Sequence, residues 1–315
     1  MKKYDFIVIG SGGGSKITSP AARLGYKVAC IEKDALGGTC LNRGCIPSKM
    51  LIHPADVAVE IQQASKFNIT VDTNIGVNFQ SLVNRISKTV DTDSSRISLG
   101  YGKNPNIDYY AGKARFVSNK VIEINGEQLT ADKIIIGVGA RPQIPEIEGL
   151  AGTPYMTSTE ALRRTTLPKK MIVIGASYIA VELGHAYGAL GCETHFLVRS
   201  RFLRREDREI SEEFTQAFSN LYHTHIGAVP KKVEYKSGQF TVTYQLKDGS
   251  SHQITADALL LAIGVISNTD TLTLENTAIE MTNQNFIKVD QYLQTAVNGV
   301  YALGDCIGRY FFRHS

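Results

Sequence analysis

Two apolar runs open the two halves of this chain with nearly the same wording. Tyr4-Asp5-Phe6-Ile7-Val8-Ile9-Gly10 returns as Lys170-Met171-Ile172-Val173-Ile174-Gly175, and Thr130-Ala131-Asp132-Lys133-Ile134-Ile135-Ile136-Gly137 returns as Thr255-Ala256-Asp257-Ala258-Leu259-Leu260-Leu261-Ala262. Short continuous apolar runs bounded by turn residues predict strands buried on both faces of parallel sheets. Between the opening and closing strand of each half the pattern predicts a glycine-rich turn, a helix and a second strand. Alternating segments with hairpin turns follow, Val121 to Leu129 in the first half and Val233 to Ile254 in the second. The chain thus reads as an α/β protein in which a three-layer domain with an antiparallel β-meander occurs twice. Gly10 and Gly175 stand 165 residues apart but Asp132 and Asp257 only 125, so the first copy carries 40 extra residues. Arg141-Pro142-Gln143-Ile144-Pro145 is a proline-rich exit, giving a first domain of residues 1–150 and a second of 151–265.

The turns carry the chemistry. Gly10-Ser11-Gly12-Gly13-Gly14-Ser15 follows a strand and opens a helix, so backbone N–H groups and the positive helix end can hold a pyrophosphate. Gly10 and Gly12 fit the dinucleotide fingerprint, with Ser15 in place of the third glycine. Glu32, seven residues after Gly25, ends the second strand and can accept from both hydroxyls of an adenosine ribose. These features make both copies Rossmann-like. In the second copy the turn reads Gly175-Ala176-Ser177-Tyr178-Ile179-Ala180, with Ser177 at the central glycine position. Seven residues after Gly191 stands Val198, followed by Arg199, Ser200 and Arg201. No acid occupies the discriminating position, and two arginines can pair with a 2′-phosphate, which favours NADPH over NADH. The same arginines, with Arg204, Arg205 and Arg208, also fit a solvated cluster balanced by Glu206, Asp207 and Glu209.

Cys40 and Cys45 lie in Gly37-Gly38-Thr39-Cys40-Leu41-Asn42-Arg43-Gly44-Cys45-Ile46-Pro47-Ser48-Lys49, directly after the first fingerprint. Cysteines this close, at a helix start, can bring their sulfurs together, and the helix end favours a thiolate. A dithiol beside a nucleotide site is redox chemistry. No metal is expected: Cys30, Cys192, Cys306 and the seven scattered histidines supply no further ligands at zinc spacing.

These motifs together resemble the flavin-dependent pyridine nucleotide-disulfide oxidoreductases, a family that includes dihydrolipoamide dehydrogenase, mycothione reductase and mercuric reductase. The resemblance implies that the first dinucleotide is FAD and that residues 266–315 return to the FAD domain. It implies that Gly10, Gly12, Gly13, Ser15, Glu32, Lys33, Gly38, Thr39, Lys49, Gly112, Ala114, Gly139 and Asp305 surround the flavin nucleotide. Gly175, Ser177, Tyr178, Ile179, Arg199, Arg201 and Gly264 would surround NADPH. Cys45 would be the flavin-side thiolate and Cys40 the thiol that attacks the acceptor. Lys49 and Glu182 match an ion pair near the reactive end of the flavin, and Tyr178 an aromatic lid. Without the resemblance, Lys49 and Glu182 read equally as helix-face charges, Tyr178 as core packing and Asp305 as a cap.

The function implied is electron transfer from NADPH to flavin to the Cys40–Cys45 disulfide and on to a small-molecule disulfide or related thiol-reactive acceptor. A nucleotide-binding fragment without disulfide turnover and a diaphorase acting on quinones are alternatives. Relatives continue past Phe311-Phe312-Arg313-His314-Ser315 into an interface domain that makes the family's dimer and supplies a His–Glu pair, so the 315 residues alone are expected to be monomeric. With a net charge of +4, 43% hydrophobic residues and basic residues dispersed apart from one cluster, composition gives no case for nucleic acid or membrane partners. Five cysteines without a secreted framework point to a reducing cytoplasm.

Overall fold

The structure is a computed structural model that describes residues 1–309 and 311. Tyr310 and residues 312–315, on which the expectation about the chain's end rests, lie outside the described residues. Its elements begin β1 (Lys2–Ile9), α1 (Ser15–Arg23), β2 (Val28–Glu32), α2 (Gly38–Arg43), α3 (Cys45–Gln63) and α4 (Phe79–Gly102). Then come β3 (Ile107–Ala111), β4 (Arg115–Ser118), β5 (Val121–Ile124), β6 (Glu127–Ile136), β7 (Ala140–Pro142) and α5 (Ser158–Ala161). The next are β8 (Lys170–Ile174), α6 (Tyr178–Ala189), β9 (Glu193–Val198), α7 (Arg208–Ser219) and β10 (His223–Ile226). The series closes with β11 (Val229–Lys236), β12 (Gln239–Gln245), β13 (Ser251–Ala256), β14 (Ala258–Leu261), β15 (Val265–Ser267) and β16 (Val300–Ala302).

Two compact units result. The first comprises Met1–Ile46, Thr89–Arg141 and Val265–Ser315, and the second Pro47–Lys88 and Pro142–Gly264. In the first, the sheet runs β3-β2-β1-β6-β5-β4, with β16 also on β6. Strands β3, β2, β1, β6 and β16 are parallel, and β4, β5 and the first part of β6 form the antiparallel meander. Ile7, Val8 and Ile9 on β1 and Ile134 and Ile136 on β6 are almost wholly buried, as strands covered on both faces require. The hairpin between β5 and β6 turns on Asn125 and Gly126, both at positive φ (50° and 80°), the backbone a tight two-residue hairpin needs.

The second unit repeats the plan. A parallel sheet β10-β9-β8-β14 is accompanied by the meander β11-β12-β13. On β12, Phe240, Val242 and Tyr244 point into the core while the residues between them do not, the period of a half-buried strand. Both units are therefore Rossmann-like α/β folds with antiparallel meanders.

The compact units differ from the contiguous division 1–150, 151–265 and 266–315. Leu51, Ala55 and Ala58 of α3 and Phe79, Val83 and Ile86 of α4 pack in one core with Tyr187 and Phe196, so residues 47–88 cluster with the second unit. The Phe79 and Tyr187 rings stand 5.4 Å apart. Leu150 likewise joins the core under the second meander. Among the described residues no helix is long and apolar enough to cross a membrane.

Candidate functional site

In the first unit the turn after β1 is set by close backbone approach. Gly10 has φ +98°, and a Cβ there would lie 2.2 Å from the Gly137 oxygen. A Cβ on Gly14 would meet the Gly10 oxygen at 2.2 Å and Val8 Cγ1 at 2.5 Å. The position that tolerates no side chain is thus Gly14 rather than its neighbour Ser15, whose hydroxyl donates to the Gly12 carbonyl at 2.8 Å. Sequence reasoning passed over Gly14 although the run of three glycines contained it. Gly13 faces Leu303, whose Cδ1 would be 2.5 Å from an added Cβ.

Helices α1 and α6, which follow the two glycine turns, have no side-chain cap, whereas α5 and α7 are capped by Thr157 and Asp207. Helix starts whose N-cap residue makes no side-chain cap bond fit a phosphate at each turn. Glu32 accepts from the Ser11 N–H (2.9 Å) and Ser11 hydroxyl (2.8 Å) through Oε2, and from the Asp34 N–H (3.1 Å) through Oε1. About one of its four lone-pair sites remains. It has room for one ribose hydroxyl, and a second would displace the Asp34 N–H. Lys33 pairs with Asp34 at 2.8 Å. Gly112 donates its N–H to the Glu32 carbonyl at 2.9 Å, and Ala114 is buried in the core. Gly139 accepts from the Asn268 N–H at 3.1 Å, and Asn268 Nδ2 donates to the Val138 carbonyl at 2.9 Å, a clamp that the sequence did not signal.

Asp305 lies in the first turn of a short 3-10 helix that Gly304 opens, and no described residue donates to its carboxylate. Burial alone pushes that carboxyl above its ordinary value. A desolvated acceptor without a donor fits the hydroxyl-rich chain of a flavin nucleotide.

The cysteine segment is fastened to the phosphate turn. Gly38 has φ +66°, and a Cβ there would lie 2.4 Å from Gly12 Cα and 2.8 Å from Gly12 N. Thr39 and Cys40 follow on α2; Gly44 ends it, its own Cβ position 2.9 Å from the Thr39 oxygen. Cys45 then opens the 19-residue α3, so Cys45 alone of the pair sits at a long helix start. Both sulfur residues are half-buried. The isolated cysteines differ: burial pushes the thiols of Cys30 and Cys192 up to about 12 and that of Cys306 to about 11, leaving them inert.

In the second unit Lys49 Nζ meets Glu182 Oε1 at 2.6 Å, so these charges form a pair rather than separate helix-face groups. Gly175 has φ +137°, and a Cβ there would stand 2.1 Å from the Ala262 oxygen. Ser177 donates its hydroxyl to that same carbonyl at 3.0 Å, which is why a serine serves at the central glycine position. Tyr178 begins α6, is 39% exposed rather than packed in the core, and gives its hydroxyl to Glu206, which raises its pKa. Ile179 follows, half-buried, and Gly264 accepts from the Gln143 N–H at 2.9 Å.

Val198 is fully buried at the end of β9, and Arg199 emerges directly after it. Arg201 is tethered through Nε to the Ser211 hydroxyl at 2.8 Å. Asp207 caps α7, and Arg208 pairs with Glu212. Glu206, Asp207 and Glu212 are thus engaged by partners other than Arg199 and Arg201.

The histidines that the sequence leaves scattered are brought together in part by the fold. Glu193, His195 and His223 each offer a ligand atom, all within 4.8 Å of one another. The histidines are scattered in sequence, but the parallel pairing of β9 with β10 sets His195 beside His223.

A family model described as pyridine nucleotide-disulphide oxidoreductase matches residues 4–314. The chain belongs to that family. It is 35% identical over 306 residues to a mercuric reductase of Lysinibacillus sphaericus, covering 96% of this chain and 56% of the relative. It is also 35% identical over 325 residues to a mycothione reductase of Mycobacterium tuberculosis, covering 100% of this chain and 68% of that protein. Among solved structures, the HOCl-induced flavoprotein disulfide reductase RclA of Escherichia coli superimposes with a TM-score of 0.86 at 28% identity, over 99% of this chain and 68% of that one. The chain thus spans little more than half the length of the mercuric reductase it matches.

Proposed function

We propose that this chain binds FAD in its first unit and NADPH in its second, and reduces a small-molecule disulfide or related thiol-reactive acceptor through Cys40 and Cys45. The observation that carries this reading is the seating of Gly38 on Gly12, which fixes the cysteine helix to the dinucleotide turn within one unit. Gly10, Gly12 and the start of α1 hold the pyrophosphate, Glu32 a ribose hydroxyl, and Asp305 a hydroxyl of the flavin's side chain. Bound there, the flavin supplies the two-electron relay between nicotinamide and cysteines.

The chain's own sulfurs do the exchange. With the pair reduced, the Cys40 thiolate attacks one sulfur of the acceptor disulfide and releases the first thiolate. Cys45, its thiolate favoured by the α3 N-terminus, then attacks the Cys40 sulfur. The second thiolate leaves, two protons are taken up, and the Cys40–Cys45 disulfide is restored. Lys49 and Glu182 are proposed as the charge pair that serves the reactive end of the flavin, and Tyr178 as the lid that yields to nicotinamide. Arg199 and the tethered Arg201 select the 2′-phosphate.

The test is NADPH oxidation by the purified chain with lipoamide, glutathione disulfide, mycothiol disulfide and mercuric ion, beside a quinone dye. Cys45→Ser should abolish disulfide reduction and leave dye reduction. Equal disulfide turnover by parent and variant would refute the assignment, and a protein that cannot be loaded with FAD would refute it at the root.

A further inference from the structure

Four of the chain's seven histidines gather on the second unit, around the edge strand β10. Glu193 and His195 share one face of β9 by the two-residue period of a strand, as His223 and His225 do on β10. The His195 and His223 rings stack with centroids 4.4 Å apart and planes at 12°.

Hydrogen bonds fix the direction of the protons. His195 Nε2 lies 2.6 Å from Glu193 Oε1, and its Nδ1 lies 3.3 Å from His225 Nε2. His225 Nδ1 in turn lies 2.9 Å from the Tyr244 hydroxyl. A carboxylate only accepts, so with neutral rings the proton nearest Glu193 sits on His195 Nε2. His195 Nδ1 then accepts from His225, and His225 from Tyr244. A cation taken between Glu193 and His195 Nε2 would shift each ring to its other tautomer. His195 Nδ1–H would then donate to His225, and His225 Nδ1–H to Tyr244, the outer support typical of a metal-bound imidazole.

Lys170 Nζ, 3.1 Å from Glu193 Oε1, is the cation already present and must yield. From the meander, His252 stacks on Tyr244 and meets the Ser250 hydroxyl at 2.9 Å.

We propose that Glu193, His195 and His223 form a site for a borderline divalent transition cation of the zinc class, supported from behind by His225 and Tyr244. Two imidazoles with one carboxylate suit such ions, whereas calcium and magnesium prefer all-oxygen sets. The site tethers the edge strand β10 to β9 and is independent of the dithiol chemistry.

Cobalt(II) is the probe, added to the full chain carrying Cys40→Ser and Cys45→Ser so that those thiolates do not take it. Saturable binding of one cobalt with visible d–d bands and no thiolate charge-transfer band is expected, with zinc displacing it. His225→Phe should weaken binding by about 10–100-fold, as loss of an outer partner does. His223→Gln and Glu193→Gln, both at exposed positions, should weaken it further, and Lys170→Met should tighten it. Circular dichroism checks that each variant is folded. Absence of saturable binding, or unchanged affinity in folded His223→Gln, would overturn the site.

Discussion

At the scale of a single residue, Asp305 sets a desolvation cost against its proposed role in holding FAD. Its carboxyl is raised above the ordinary value, so the folded protein binds that proton more tightly than the unfolded chain. Its contribution to stability therefore falls as pH rises from the unfolded carboxyl pKa through the folded one, and above both the desolvated charge is a cost. Asp305→Asn should make the cofactor-free protein more stable than the parent at pH 7, with the gap closing below about pH 4. The same change should weaken FAD binding by about tenfold or more, the value of a charge-assisted hydrogen bond. Urea unfolding across pH and flavin titration measure the two arms; a destabilised apo variant at pH 7 would refute the desolvation argument. Gly38→Ala tests close approach instead. With φ +66° and the Gly12 backbone in its path, it should cost at least about 1–3 kcal/mol of first-unit stability and release the cysteine helix. Glu32 was legible as the residue that ends β2, because it is reached by counting from Gly25, whereas Asp305 and the roles of Cys40 and Cys45 rested on the family resemblance. That Ser11 engages one oxygen of Glu32, and that Gly14 is the crowded glycine, depends on how the turn folds back on itself, which spacing does not encode.

At the scale of elements, the end of β9 and the start of α7 act together. Val198 is buried in the sheet, so the side chains that first leave it are those of Arg199, Ser200 and Arg201, and the two arginines are the ones proposed to meet a 2′-phosphate. Among the described residues Arg201 is held by Ser211, whose hydroxyl donates to the Phe202 carbonyl at 2.6 Å. Arg199→Ala should reduce the preference for NADPH over NADH by about tenfold, the loss of one charge-assisted contact. Ser211→Ala should reduce it by less, by loosening Arg201 without removing its charge. Flavin reduction at graded NADPH and NADH concentrations reads both, and equal use of the two nucleotides by the parent would refute the argument from Val198. The absence of an acid after β9 was visible in the sequence, since it is a counting argument. The tether was not, because Ser211 reaches Arg201 only once α7 has packed. The histidine group was hidden for the same reason: strand pairing, rather than sequence spacing, brings His195 to His223.

On the scale of the whole molecule, the repeat made both units legible, because each must open and close with a buried parallel strand. Counting also placed 40 additional residues in the first copy. It did not say whose core those residues complete. Pro47–Lys88 leaves the chain order of the first unit and gives its apolar side chains to the second, through Leu51, Ala55, Phe79, Val83 and Ile86. An insertion's place in the sequence fixes its ends, while its apolar face goes where complementary surface is exposed. Phe79 decides the matter experimentally. It is 4% exposed and lies against Tyr187, so Phe79→Ala should destabilise by about 3–5 kcal/mol. If residues 47–88 belong energetically with the second unit, amide exchange in β8, β9 and β14 should accelerate by about a hundredfold or more, while β1 and β2 keep their protection. FAD should slow exchange around Gly10–Ser15 and NADPH around Gly175–Ile179, marking the two units independently of the mutation. Loss of protection in β1 and β2 as large as that in β8 would return the segment to the first unit, and NADPH protection confined to Gly10–Ser15 would reverse the assignment of the two nucleotides.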